Sequence, residues 1–142
     1  MPVPRFDLPN PDVETKPYWD AARDHRLLIQ RCASCGGHQF YPRPFCKVCW
    51  STDTEWVQAS GSATLYSFSV VHQNDLPPFP ERVPYVAAVV DLAEGPRMIS
   101  NVTGCDRDDL AIGMDLEVSF EEIDDDVVIP VFRPAPTPRA AT

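Results

Sequence analysis

The chain has 142 residues and a formal net charge of −9 at pH 7, a length that suits one compact domain with a small attached unit and excludes two large domains. Residues 1–50 carry seven Lys or Arg and five acids, whereas residues 51–142 carry five Lys or Arg and sixteen acids. Because general nucleic-acid binding needs a basic surface, this strongly acidic second part disfavours a nucleic-acid partner.

The first part of the chain predicts an arm, a helix and two short strands. Four prolines within residues 1–13 disfavour regular hydrogen bonding and indicate an extended arm. Thr15 is a candidate N-cap and Pro17 suits a first helical turn, so a helix is expected from about Lys16 to His25. Short strands are then expected at residues 27–31 and 38–41.

Two C-x-x-C pairs follow the helix, with ten residues between them, and supply Cys32, Cys35, Cys46 and Cys49. Four soft thiolates brought together by two tight turns are the ligands that tetrahedral Zn²⁺ prefers, so the spacing predicts a zinc ribbon. A closed four-thiolate site has no open coordination position, which indicates a structural metal. A rubredoxin-type iron centre is the alternative, because the same ligands bind iron.

From Gly61 onward, alternating apolar and polar residues predict five strands, at residues 63–71, 85–92, 97–103, 115–122 and 127–132. The pattern itself indicates an all-β barrel, and five strands with a helical turn before the fourth suit the general plan of an OB-fold. The acidic run at residues 121–126 is expected to be a solvated hairpin tip.

The predicted fold class is mainly β, with an N-terminal helix, a four-cysteine zinc ribbon and a five-stranded OB-fold barrel. The predicted organisation is an extended arm at 1–13, the N-terminal helix at 14–26, the zinc ribbon at 27–58, the OB-fold barrel at 59–133 and a disordered tail at 134–142.

The residues show no convincing catalytic constellation. With four cysteines assigned to a metal, Cys105 is the remaining candidate thiol nucleophile, and no nucleophile–base pattern surrounds it. An unpaired thiol fits a reducing compartment, and the sequence shows neither a signal-peptide pattern nor an apolar run of 18 residues. A cytoplasmic protein with no membrane partner is therefore expected.

Taken together, the ordered motifs resemble the DUF35 family, which joins a rubredoxin-like zinc ribbon to an OB-fold. The resemblance covers about residues 14–134. In the first half it rests on TKPYW at 15–19, LLIQRCASCG at 27–36 and FYPRPFCKVC at 40–49. In the second half it rests on GSATLYSFSVVH at 61–72, PYVAAVVDL at 84–92, GPRMISNV at 95–102 and IGMDLEVSFE at 112–121.

The resemblance implies a role beside coenzyme A chemistry. It implies a non-catalytic accessory subunit that binds a thiolase-like enzyme, such as a thiolase, synthase or aldolase, and helps to bind acyl-CoA. The catalytic residues would then belong to the partner, and a CoA thioester would be the substrate of a hetero-oligomeric aldolase (lyase) or thiolase-type complex. Steroid side-chain or lipid degradation is the implied setting.

Binding of CoA would require an apolar slot and a few cations. The long, proline-stiffened loop at residues 72–82 and the adjacent barrel strands offer such groups, and we predict CoA contacts from His72, Phe79, Arg82 and Arg97. The alternative function is a nucleic-acid-binding module, since zinc ribbons and OB barrels serve that role in other proteins.

Overall fold

The computed structural model describes residues 8–76 and 79–136. Within these ranges there is one α-helix, α1, and eight strands. Their bounds are α1 Lys16–Arg23, β1 Leu28–Cys32, β2 His38–Gln39, β3 Thr54–Gln58, β4 Ser62–Val71, β5 Tyr85–Leu92, β6 Arg97–Val102, β7 Asp115–Asp124 and β8 Val127–Pro134. Single 3₁₀ turns lie at Phe79–Glu81 and Arg107–Asp109. The predicted fold class, mainly β with a helix, a ribbon and a five-stranded barrel, is confirmed.

The helix begins as predicted but ends early. Thr15 occupies the N-cap position without a side-chain capping bond, because its hydroxyl oxygen accepts instead from the N–H of Asp12 at 3.0 Å. The last helical residue is Arg23 rather than the predicted His25. His25 has a φ of 60°, which lies in the left-handed region and cannot continue a right-handed helix.

The ribbon sheet has three antiparallel strands in the order β2–β1–β3. Strand β2 is only two residues long, and β3, which the sequence did not predict, pairs with β1 along its whole length, from Leu28 opposite Gln58 to Cys32 opposite Thr54. The local pattern around residues 54–58 is too short to identify a strand, and pairing with a distant strand decides its conformation.

All five predicted barrel strands are present, with ends that differ from the prediction by no more than two residues. They close in the order β4–β5–β6–β8–β7, and Val102 of β6 and Phe132 of β8 form the parallel contact that completes the ring. Alternate residues of the strands fill the interior and belong to one buried cluster: Ala63, Leu65, Ala88, Val90, Leu92, Met98, Val102, Leu116 and Phe132.

Ribbon and barrel share one hydrophobic core. Tyr18 of α1, together with Leu27, Ile29 and Phe40 of the ribbon, belongs to the same buried cluster as the barrel interior. At the junction, the N–H of Ala59 donates to the Leu27 carbonyl at 2.8 Å, which continues the β1–β3 ladder towards the barrel. The ribbon is therefore packed against the barrel rather than tethered beside it.

The acidic run and the segments near the two chain ends were also predicted from the sequence. Residues 121–126 span the β7–β8 hairpin, and all of them except Ile123 are exposed, so the solvated hairpin tip is confirmed. Residues 8–13 of the predicted arm contain no strand or helix, whereas residues 1–7 and 137–142 lie outside the described ranges. Pro134, predicted to start the tail, is the last residue of β8. None of the helices within the described ranges has the length and apolar character needed to cross a membrane.

Gly61, between the ribbon and β4, has a φ of +89°, and an added Cβ would lie 2.6 Å from Val118 Cγ1. Its carbonyl also accepts a hydrogen bond from the N–H of Val118 at 2.8 Å, so the two segments cannot separate freely. We expect Gly61→Ala to lower the free energy of unfolding by about 2–3 kcal/mol, from backbone strain and overpacking. Denaturant unfolding measures the difference.

Gly113 provides the matched control. Its φ is +90°, but no atom lies within 4 Å of an added Cβ. Gly113→Ala should therefore lower the free energy of unfolding by about 1 kcal/mol, from backbone strain alone. Equal losses in the two variants would contradict the proposed close contact with Val118.

Candidate metal centre and barrel cavity

The four predicted cysteine ligands converge. Cys32 ends β1 and Cys46 enters the second turn, and the Sγ atoms of these two and of Cys35 and Cys49 all lie within 4.8 Å of one another. The Cys32–Cys49 and Cys35–Cys46 sulfur pairs are 3.5 and 3.7 Å apart. Tetrahedral Zn²⁺ with bonds of about 2.3 Å requires sulfur separations of about 3.8 Å. The sulfur cluster therefore has the dimensions of a four-thiolate metal site.

The two cysteine turns have the same backbone fold. The N–H of Gly36 donates to the Cys32 carbonyl at 2.8 Å, and the N–H of Trp50 donates to the Cys46 carbonyl at 2.9 Å. Both donors have positive φ, +79° for Gly36 and +66° for Trp50. Glycine adopts this conformation freely, but a tryptophan does so at a cost of about 1–2 kcal/mol. The Trp50 ring stacks on Phe45 at 5.1 Å and is 73% exposed.

Backbone N–H groups also point at the sulfur atoms. The N–H of Cys35 donates to Cys32 Sγ, and the N–H of Val48 donates to Cys46 Sγ, each at 3.4 Å. Such bonds stabilise the charged form of a sulfur ligand. Cys32 and Cys46 are buried, whereas Cys35 and Cys49 are exposed, so the site lies at the surface with one side covered by the ribbon.

The sulfur atoms compete for protons. Hydrogen bonds to Cys32, first from the N–H of Cys35 and then from the Cys49 thiol, lower the pKa of Cys32 to about 6. The N–H of Ser51 lowers the pKa of Cys49, but the bond to Cys32, partial removal from water and the contacts with Cys35 and Cys46 outweigh it and raise that pKa to about 11. Near neutral pH the Cys32 sulfur is therefore mainly a thiolate and the Cys49 sulfur a thiol, and a bound dication would displace the remaining proton.

Two buried glutamines support the second cysteine turn, and the sequence reasoning did not identify them. Gln30 of β1 and Gln39 of β2 are 4% and 5% exposed and lie opposite each other in the sheet. A signal was available: Gln30 stands two residues before Cys32, so strand alternation places both on the same face.

A cavity of about 700 Å³ opens at the end of the barrel where β4 ends and β5 begins. Of the four predicted CoA contacts, Phe79 and Arg82 line it, whereas His72 and Arg97 are not among its lining residues. The Arg82 guanidinium lies 5.6 Å from the Phe79 ring centroid, and Tyr85 lies 6.0 Å from that ring. The charged residues of the lining are two arginines and three acids: Arg82, Arg107, Asp106, Asp108 and Glu121.

Arg97 lies elsewhere on the barrel surface and is held by its neighbours. Its Nε donates to Asp91 Oδ1 at 2.6 Å, and its guanidinium lies 3.6 Å from the Tyr66 ring centroid. The hydrogen bond to Asp91 is the main cause that raises the pKa of Arg97. His72 is an exposed residue just after β4. The structure thus brings together two of the four predicted CoA contacts.

Cys105 also lines the cavity. Partial burial, and then the carboxylates of Asp109 and Asp106, raise the pKa of this thiol. A thiol with a raised pKa holds its proton near neutral pH and is a weak nucleophile. Its surroundings give no support for a catalytic role, and its position makes it a reporter of cavity occupancy.

Comparison with known proteins covers both units of the chain. A family model described as the ChsH2 rubredoxin-like zinc ribbon domain matches residues 19–55, and one described as the ChsH2 C-terminal OB-fold domain matches residues 56–121. A solved structure titled "Ltp2-ChsH2(DUF35) aldolase" is similar with a TM-score of 0.81 and 38% sequence identity, over 89% of this chain and 98% of that one.

Two curated relatives differ in length. A DUF35 domain-containing scaffold protein of Methanocaldococcus jannaschii is 34% identical over 110 residues, which are 76% of this chain and 77% of the relative. A probable enoyl-CoA hydratase alpha subunit of Thermomonospora curvata is 39% identical over 134 residues, which are 93% of this chain. The chain spans only 41% of the length of that hydratase subunit.

Proposed function

The chain belongs to the DUF35 family, with the zinc ribbon and OB-fold of ChsH2, and from this we propose that it is a non-catalytic accessory subunit that binds a thiolase-like enzyme and helps to bind acyl-CoA. The observation that carries the proposal is the likeness to the DUF35 chain of an aldolase over almost the whole of that chain. A scaffold protein among its relatives supports the accessory role. The catalytic residues of the complex would lie on the partner.

The same relatives support a proposal for the metabolic setting. A relative named for enoyl-CoA hydration and an aldolase assembly support an acyl-CoA substrate, and we place the complex in steroid side-chain or lipid degradation. Free cysteine ligands are not oxidised to disulfides in a reducing compartment, so the cytoplasm is the proposed compartment.

We assign Cys32, Cys35, Cys46 and Cys49 as the ligands of one structural Zn²⁺. A bound zinc would supply a fixed tetrahedral link between the two cysteine turns, and a site closed by four thiolates leaves no position for a substrate. The ribbon would orient these ligands. The backbone N–H groups of the turns stabilise the thiolates, and β1 fixes the position of Cys32.

The ribbon also offers a surface for the partner. Three large apolar side chains of the ribbon lie at its surface: Tyr41, Val48 and Trp50 are 49%, 69% and 73% exposed. Large exposed apolar side chains are characteristic of the centres of protein interfaces. The positive φ of Trp50 supports a selected role, because such strain persists mainly at functional positions.

The barrel cavity supports the acyl-CoA part of the proposal. Its volume of about 700 Å³ lies in the range of small-molecule sites, and two arginines in its lining are groups that pair with phosphates. Phe79 and Arg82 are the CoA contacts that this cavity favours. Contacts from His72 and Arg97 would require a part of the ligand that extends beyond the cavity.

We expect Phe79→Ala to weaken binding of octanoyl-CoA to the assembled complex about tenfold, because the ring supplies apolar area at the cavity wall. Isothermal titration calorimetry measures the change. Leu76→Ala is the control, since Leu76 lies near Phe79 in sequence, is exposed, and is not among the lining residues. Octanoyl-CoA should also slow alkylation of Cys105. Unchanged affinity together with unprotected Cys105 would contradict the cavity assignment.

The experiment that tests the whole function is purification of the tagged chain from its native host with mass-spectrometric identification of what accompanies it. A thiolase-family protein in near-stoichiometric amount is expected. Recovery of nucleic-acid proteins, with binding of a fluorescent oligonucleotide at low salt, would instead support the nucleic-acid module. Recovery of the chain alone would count against a stable accessory role.

A further inference from the structure

The segment that leads into the second cysteine turn is held by a side-chain amide in place of a neighbouring strand. Gln30 Oε1 accepts a hydrogen bond from the N–H of Arg43 at 2.9 Å, and Gln30 Nε2 donates to the Arg43 carbonyl at 3.0 Å. One side chain thus bonds both backbone groups of one residue, as a paired strand would.

Gln39 extends this bonding to both sides of Cys46. Its Nε2 donates to the Phe45 carbonyl at 3.1 Å, and its Oε1 accepts from the N–H of Lys47 at 3.1 Å. The second hydrogen of Nε2 goes to Gln30 Oε1 at 2.7 Å. The residues immediately before and after a metal ligand are therefore fixed by the same buried amide.

We propose that Gln39, supported by Gln30, is a positioning residue that holds Cys46 in its metal-binding place and slows the loss of zinc. This inference rests on the zinc site of the proposed function and is independent of the partner. Residues 40–45 include Pro42 and Pro44, which cannot donate backbone hydrogen bonds. Without the two amides, the segment before Cys46 would have few bonds to fix it.

The expected effect of replacing Gln39 on zinc release can be estimated from residues that contact a metal ligand but not the metal. Residues that orient a ligand without touching the metal typically change metal affinity 10–100-fold when they are replaced. Gln39→Met keeps the length of the side chain and removes all three of its hydrogen bonds. We expect zinc transfer from Gln39→Met to a chromogenic chelator to be about tenfold faster than from the wild type.

The test uses the full-length, zinc-loaded protein under native conditions. Gln58→Met is the matched control, because it makes the same exchange at an exposed position of β3 in the same sheet, and its zinc transfer should match the wild type. Co²⁺ competition provides a second readout, with about tenfold weaker binding expected for Gln39→Met and a retained tetrahedral thiolate spectrum.

Two outcomes would overturn the positioning role, and a third would refute the zinc assignment. Wild-type transfer rates in Gln39→Met would overturn the positioning role, as would a faster rate that only matches a faster global unfolding of the barrel. If Gln39→Met does not fold, Gln30→Met is tested in its place. Faster zinc transfer is again expected, and an unchanged transfer rate would again overturn the positioning role. A wild-type protein without stoichiometric zinc would refute the zinc assignment, and with it this inference, while the partner proposal would stand.

Discussion

Cys46→Ser is expected to yield protein with almost no bound zinc and without a folded ribbon. The ribbon buries few apolar side chains of its own, among them Ile29 and Phe40, so we expect its fold to depend on the metal. Binding of a structural zinc in zinc-finger peptides contributes roughly 10–16 kcal/mol, which is folding energy. Elemental analysis of the purified protein and its thermal unfolding curve measure the two effects.

Cys105→Ser is the control for this variant. It also removes a thiol, but Cys105 lies in the barrel cavity, so zinc content should stay at one per chain. Full zinc content in Cys46→Ser would show that the fourth thiolate is dispensable. A red, iron-containing wild-type preparation would replace the structural zinc with an electron-transfer centre, because the same thiolates bind iron.

Phe132→Ala is expected to lower the free energy of unfolding by about 3–5 kcal/mol, the usual cost of removing a buried aromatic ring. Phe132 is fully buried and is the largest of the fully buried side chains. It also stands where the barrel closes, since it pairs with Val102 of β6 and with Val118 of β7. Denaturant unfolding of the zinc-loaded protein provides the measurement.

Ile99→Ala provides the comparison on a neighbouring strand. Ile99 is 67% exposed, and exposed substitutions usually change stability by less than about 0.5 kcal/mol. Similar losses for the two variants would mean that the closure of the barrel does not depend on the packing around Phe132.

The sequence by itself determined the four cysteines that cluster and the barrel strands. Two cysteines three residues apart lie in one turn, so local spacing predicts each pair of the cluster. Strand alternation is also local, because successive side chains point to opposite faces. Five strands and the exposed acidic hairpin were therefore predictable. The DUF35 resemblance, which rests on ordered motifs, pointed to the same two units.

Only the tertiary structure decided how these parts meet. The third ribbon strand forms because β1 offers it a partner more than 20 residues away, and the helix ends at Arg23 because His25 turns left-handed. The parallel contact of Val102 with Phe132 sets the barrel order. The hydrogen bonds of the Gln39 side chain depend on contacts between distant segments. The separation of Phe79 from Arg97 depends on such contacts as well. Local periodicity carries no information on such contacts, because chain closure and packing select them.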